Sequence, residues 1–165
     1  VTIGIMVIIN GAIFFNYPKV MANLALRRTA DEIALTARQA QAYAMAAKSE
    51  GGELPSYGVH FEKDATKIVL FADLPPGNDN YDGNDTPVCN NECIQVFDIQ
   101  TKDEISSLLC GGSNCSPADV VYSRQSPTAT ITGGSDRVEI TIRAHRDSTM
   151  TKKVTINKNG YISIQ

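Results

Sequence analysis

Three sets of residues have types and spacings that bear on chemistry. Four cysteines, Cys89, Cys93, Cys110 and Cys115, lie close together, and the rest of the chain has none. An even number of thiols in a stretch rich in Pro, Gly and Asn suits disulfides formed in an oxidising compartment. Four thiolates also suffice for a structural zinc, but C-x3-C and C-x4-C are not the paired C-x2-C knuckles of such sites, so disulfides are expected. Their connectivity stays open: local pairs would close two small loops, and crossed pairs would tie the loops together.

The second set is acidic. Residues 73–104 hold eight acids against one lysine, and Asp73, Asn78, Asp79, Asn80, Asp82, Asn84 and Asp85 crowd its first part. Hard oxygen ligands at this density suit calcium, the one cofactor the sequence suggests, with Asp73, Asn78, Asp79, Asn80, Asp82 and Asp85 as the candidate ligands. The spacing is not that of an EF-hand, because Gly83 has no terminal glutamate after it at the required distance. Tight turns need the same residue types, so a solvated turn cluster is the competing reading.

The third set is basic. Residues 137–165 carry six Lys or Arg and two acids, and Arg143, Arg146 and Lys153 are the candidates for a nucleic-acid contact. Outward positions of an antiparallel sheet are usually charged, and a net charge of −3 gives the whole molecule no general attraction to polyanions. Nucleic acid is therefore not the expected partner. His60 and His145 lie far apart without a Ser or Cys motif around them, each in an outward, solvated strand position. No phosphate loop or dinucleotide glycine pattern occurs, and no enzymatic activity is expected.

The elements that must position these residues begin with one helix. Residues 1–18, VTIGIMVIINGAIFFNYP, carry no charge. At about 20 apolar residues for a bilayer span, this run is short, and Asn10 interrupts it. Pro18 removes a backbone donor and should kink or locally melt the helix without necessarily ending it. Beyond it Leu26, Ala30, Ile33, Ala37, Ala40, Ala44 and Ala47 recur at spacings of four and three, which places them on one helical stripe. A helix over residues 1–49 would be about 74 Å long, too long for a compact domain of this size, so part of it must project.

From residue 56 the period changes to two. Tyr57, Val59 and Phe61, then Val138, Ile140 and Ile142, then Val154 and Ile156 alternate with polar neighbours and predict half-buried antiparallel strands. Residues 67–72 and 94–99 read as further strands, and Asn157, Lys158, Asn159 and Gly160 as the turn of a closing hairpin. The fold class expected is α+β, a long N-terminal α-helix packed on a twisted antiparallel β-sheet. Residues 1–18 form the hydrophobic membrane or assembly half of the helix and 19–50 its amphipathic half. Residues 51–165 form the β head, with a Cys- and Asp/Asn-rich loop region at 73–119.

This order of parts resembles the type IV pilins and their relatives, the minor pilins and the pseudopilins of type II secretion. The resemblance rests on the uncharged run, the proline at Pro18, the stretch NLALRRTADEIALTARQAQAYAMAAKSEGG over residues 23–52, the strands around YGVHF and IVLFAD, and the terminal VTINKNGYISI. The stretch RQAQAYAMAAKSEGG is most similar to the minor-pseudopilin branch. The resemblance implies a lollipop-shaped filament subunit, held in the inner or cytoplasmic membrane before assembly and then part of a periplasmic or extracellular filament with copies of itself and other pilin-like subunits.

It also implies that Ile3, Ile5, Ile8, Ile9, Asn10, Ile13, Phe14 and Pro18 belong to the assembly helix, and that calcium orders the acidic loop as in some pseudopilins. Family members are cleaved and methylated at a segment of the F-T-L-I-E type; none precedes the uncharged run here, so that site is expected upstream of Val1. The alternative is a monomeric membrane-tethered module whose β head recognises DNA, a glycan or an envelope protein.

Overall fold

The computed structural model describes residues 2–46, 54–83, 89, 91–99, 101–124, 126 and 128–165, with the backbone alone described for 2–17. A single helix, α1 (Thr2–Met45), is followed by ten strands. It runs through Pro18, whose ring is exposed, and at 1.5 Å per residue it is about 66 Å long. Leu26, Ala30, Ile33, Ala37, Ala40 and Ala44 are each at most 1% exposed, so the predicted stripe is the buried face, and Ala22, also 1% exposed, extends it by a turn toward Pro18. Ala47 and the linker to the first strand lie outside the described residues.

The strands form two sheets rather than the single sheet expected. In the first, β1 (Ser56–Phe61) lies between β2 (Lys67–Asp73) and β6 (Ala118–Tyr122), with β3 (Cys93–Asp98) and β7 (Ala129–Ile131) at the edges. In the second, β8 (Arg137–Arg143) lies between β9 (Thr151–Asn157) and β4 (Glu104–Cys110), with β10 (Ile162–Ile164) and β5 (Ser113–Asn114) at the edges. Every pairing is antiparallel. The helix touches β1, β2 and β6 of one sheet and β8, β9 and β10 of the other, so it closes the space between them.

Alternation explains the inner faces. Tyr57, Val59 and Phe61 meet Ile68, Leu70, Val120 and Ile131 from the first sheet, and Ile105, Leu108, Val138, Ile140, Ile142, Val154 and Ile156 from the second, in one cluster with the helix stripe. The outer faces differ. On the second sheet the outward positions are polar and half-exposed, as antiparallel sheets facing water require. On the first sheet Val69, Phe71, Asp119 and Val121 also point outward, yet each is at most 3% exposed, and the segment after β2 folds back onto this face. Tyr81 from that segment packs on Phe71 at 5.3 Å and on His60 at 4.9 Å between ring centroids.

Gly58 marks the tightest point of this second layer. A Cβ there would stand 2.5 Å from the Phe71 ring and 3.0 Å from Val121. Glycine in the middle of a central strand weakens it unless another group needs the space, which here is the Phe71 ring. Gly58→Val should therefore lower stability by about 1–3 kcal/mol through overpacking. Urea denaturation of wild type and variant checks this, and an unchanged midpoint would mean that the ring is not held against the strand.

Candidate functional site

Both disulfides are local: Cys89 joins Cys93 and Cys110 joins Cys115. The first fastens the end of the acidic segment to the start of β3, beside Phe71 in the register of the sheet. The second spans the hairpin of β4 and β5, from the last residue of β4 to the residue after β5. Neither crosses between loops.

The acidic segment is organised around Asp73. Its carboxylate is 5% exposed and accepts the backbone N–H of Asn78 at 3.1 Å and of Asp79 at 3.0 Å, one on each oxygen. Gly77, with φ at +39°, lets the chain turn back above that carboxylate. The other candidate ligands serve the same loop. The Asn78 amide donates to Asp82 at 2.7 Å, the Asn80 N–H to the Asn78 side chain at 3.0 Å, and the Asp82 N–H to Glu92 at 2.8 Å. Asp85 lies outside the described residues. Among the described residues no group of three or more His, Cys, Asp or Glu is placed to hold a metal ion. Asp73, Asn78, Asn80 and Asp82 thus hydrogen-bond within the turns of their own loop.

Burial, first of all, raises the Asp73 carboxyl above its usual range; the two amides pull it back, and Asp79 and Asp82 add to the rise. Glu92 is raised for the same leading reason, with Asp73 and Asp82 contributing. Glu92 had no signal in the sequence, since an isolated acid before a strand does not reveal which loop it will face.

His60 departs from the solvated strand histidine expected. Its Nδ1 lies 2.7 Å from Asp119 Oδ1, and the two side chains are 15% and 4% exposed. The two residues face each other across the β1–β6 pair, under Tyr81. His60 does point outward from its strand, but that face is covered. Among the described residues no Ser, Thr or Cys side chain is hydrogen-bonded to His60, so the pair has the geometry of a buried polar link between strands. His145 is exposed, as expected, but it lies in the turn after β8 and not in a strand.

Two of the three basic candidates share one face, and each is ion-paired there. Arg143 pairs with Glu104 and Lys153 with Glu139 at 2.8 Å, both on the outer face of the second sheet. Glu139 also takes Arg137 at 2.9 Å, and hydrogen bonding from Lys153 is the first reason its carboxyl is held below the usual range. Arg146 stands apart in the turn between β8 and β9. The side chains of Ile3, Ile5, Ile8, Ile9, Asn10, Ile13 and Phe14 lie outside the described residues; Pro18 is exposed. Among the described residues no helix is long and apolar enough to cross a membrane.

Two outcomes follow from Asp73. Asp73→Ala leaves two loop amides without their acceptor and should destabilise the head by about 2 kcal/mol, with faster proteolysis within residues 74–83. Asp73→Asn isolates the charge. Because burial raises the folded-state value, ionised Asp73 opposes folding at neutral pH. That opposition is relieved as pH falls through the raised value, and the relief is complete below the unfolded value of 3.8. The stability of wild type relative to Asp73→Asn should therefore rise as pH falls from neutrality, measured by urea titration at each pH; a falling difference would contradict the burial account.

Compared with known proteins, the chain matches no family model, no curated protein and no solved structure.

Proposed function

We propose that this chain is a structural, non-enzymatic subunit of a type IV pilus-like or type II secretion pseudopilus-like filament, inserted in a membrane through its N-terminal helix before assembly. The observation that carries this reading is one helix with two kinds of surface. Among the helix residues whose side chains are described, 18–21 are exposed and Ala22 is the first buried, and the sequence is uncharged as far as Pro18. At 1.5 Å per residue the uncharged part of the helix, residues 2–18, is about 26 Å long, somewhat short of a bilayer's hydrocarbon core of about 30 Å.

An apolar helix of that length is stable in lipid or against other apolar helices, and unfavourable in water. Heterologous contacts between identical helices do not close on themselves and so build fibres. The α+β head and its two disulfides fit a subunit that works in an oxidising compartment outside the cytoplasm. The covered outer face of the first sheet adds to this fit, because it leaves fewer apolar side chains for competing head-to-head association.

Ile9→Lys places a charge in the middle of the apolar run and should abolish assembly while leaving the head folded. Sedimentation and negative-stain microscopy of assembled material, with circular dichroism as the folding control, check the outcome. Filaments of normal yield from the variant would overturn the helix-driven reading and favour the monomeric tethered module or assembly through the heads.

A further inference from the structure

A cleft of about 740 Å³ opens where the helix enters the head, between α1, the turn joining β3 to β4, and the turn joining β8 to β9. Its floor is Asp103, which is 1% exposed. One carboxylate oxygen accepts the hydroxyls of Thr101 at 2.6 Å and Thr29 at 3.3 Å, and the other accepts the backbone N–H of His145 at 3.0 Å. A single buried acid therefore fastens all three walls together. On each wall a cation sits next in sequence to an anchoring residue and lines the cleft: Arg28 beside Thr29, Lys102 between Thr101 and Asp103, and Arg146 beside His145. Lys102 has a φ of +58°, a left-handed conformation that a non-glycine residue seldom adopts without a local constraint.

Among the described residues none of these three cations is in an ion pair. Met21 and Leu24 line the same cleft and are 37% and 49% exposed, giving it an apolar lip on the side from which the helix projects. Cationic walls with an apolar lip match a phosphodiester attached to hydrocarbon: guanidinium groups bind phosphate oxygens in pairs, a lysine ammonium adds a compact charge, and the lip takes the start of the acyl chains.

We infer that this cleft binds the headgroup phosphate of an anionic phospholipid and sets the depth and tilt at which the head rests on the membrane. The inference rests on the proposed membrane insertion of the helix before assembly, since about 30 Å of helix ahead of Ala22 would bring the cleft to the headgroup layer. On assembly the subunit leaves the bilayer and the cleft gives up its lipid, so headgroup binding opposes premature extraction.

The test uses the full chain with vesicles of phosphatidylcholine, with and without phosphatidylglycerol, measured by co-sedimentation. Reversal of the three cleft cations (R28E, K102E and R146E together) should weaken binding to phosphatidylglycerol vesicles roughly 100-fold and leave binding to phosphatidylcholine vesicles unchanged. A second triple variant, R38E, R124E and K158E, makes the same change in net charge at exposed positions outside the cleft and should have little effect. Replacing the cleft cations by glutamine should give an intermediate loss, which separates loss of phosphate contacts from repulsion.

Equal weakening by the two charge-reversal triples would overturn the cleft as a site and attribute binding to diffuse charge. Tight binding of inorganic phosphate, with no preference for phosphatidylglycerol vesicles, would overturn the lipid as its source. Failure of the wild type to bind even phosphatidylcholine vesicles would instead refute membrane insertion, an outcome visible before any cleft variant is made.

Discussion

Everything in this molecule depends on how closely two sheets can approach one helix. The helix is buried along a stripe in which five of seven positions are alanine, with Leu26 and Ile33 the larger exceptions. Small side chains bring the strands near the helix axis, and the two sheets then meet each other around it in one continuous cluster. A stripe of leucines would hold the sheets apart and leave the facing residues of β1 and β9 without partners. Tyr43, edge-on to Tyr57 at 5.6 Å, fills the wider space at the C-terminal end of the stripe.

The same packing decides where polar groups can go. With one face of the first sheet committed to the helix, its other face carries Val69, Phe71 and Val121, which need cover of their own. The acidic segment supplies it through Tyr81, and that cover is held at one end by Asp73 and at the other by the Cys89–Cys93 bridge. A segment so rich in Asp and Asn does not fold by apolar burial; hydrogen bonds from its own amides to one buried carboxylate do that work. Asp103 has the corresponding role at the other end of the head, where it fastens two turns to the helix. Each is a buried acid satisfied by hydrogen bonds, and each fixes a loop that the hydrophobic core alone would leave free.

Periodicity made much of this legible. The helix stripe, β1, β8, β9 and the closing hairpin follow from spacing, whereas β2, buried at six of its seven positions, shows only as a continuous apolar run. β6, with the sequence ADVVY, is buried at every position and so has no alternation to read. β4 is interrupted by Ser106 and Ser107, where the pairing with β8 slips register, and this removes its pattern as well. The division into two sheets depends on which distant strand pairs with which, as in β4 with β8, and no local signal carries that. His60 shows the limit most clearly: its outward direction was readable, but the loop that covers it was not. The cleft at the helix entry was hidden for the same reason, since Arg28, Lys102 and Arg146 are brought together only by the fold.

The uncharged helical run as far as Pro18 needs an apolar environment, and the proposed function supplies lipid first and neighbouring helices afterwards. The most direct test is a cryo-electron-microscopy reconstruction of the chain assembled from membranes. Polymerisation through the helix predicts α1 at the filament axis, with Ile3 to Phe14 packed between subunits and both sheets facing outward. Filaments joined through sheet edges with the helix at the periphery, or a chain that stays monomeric once removed from the membrane, would contradict it.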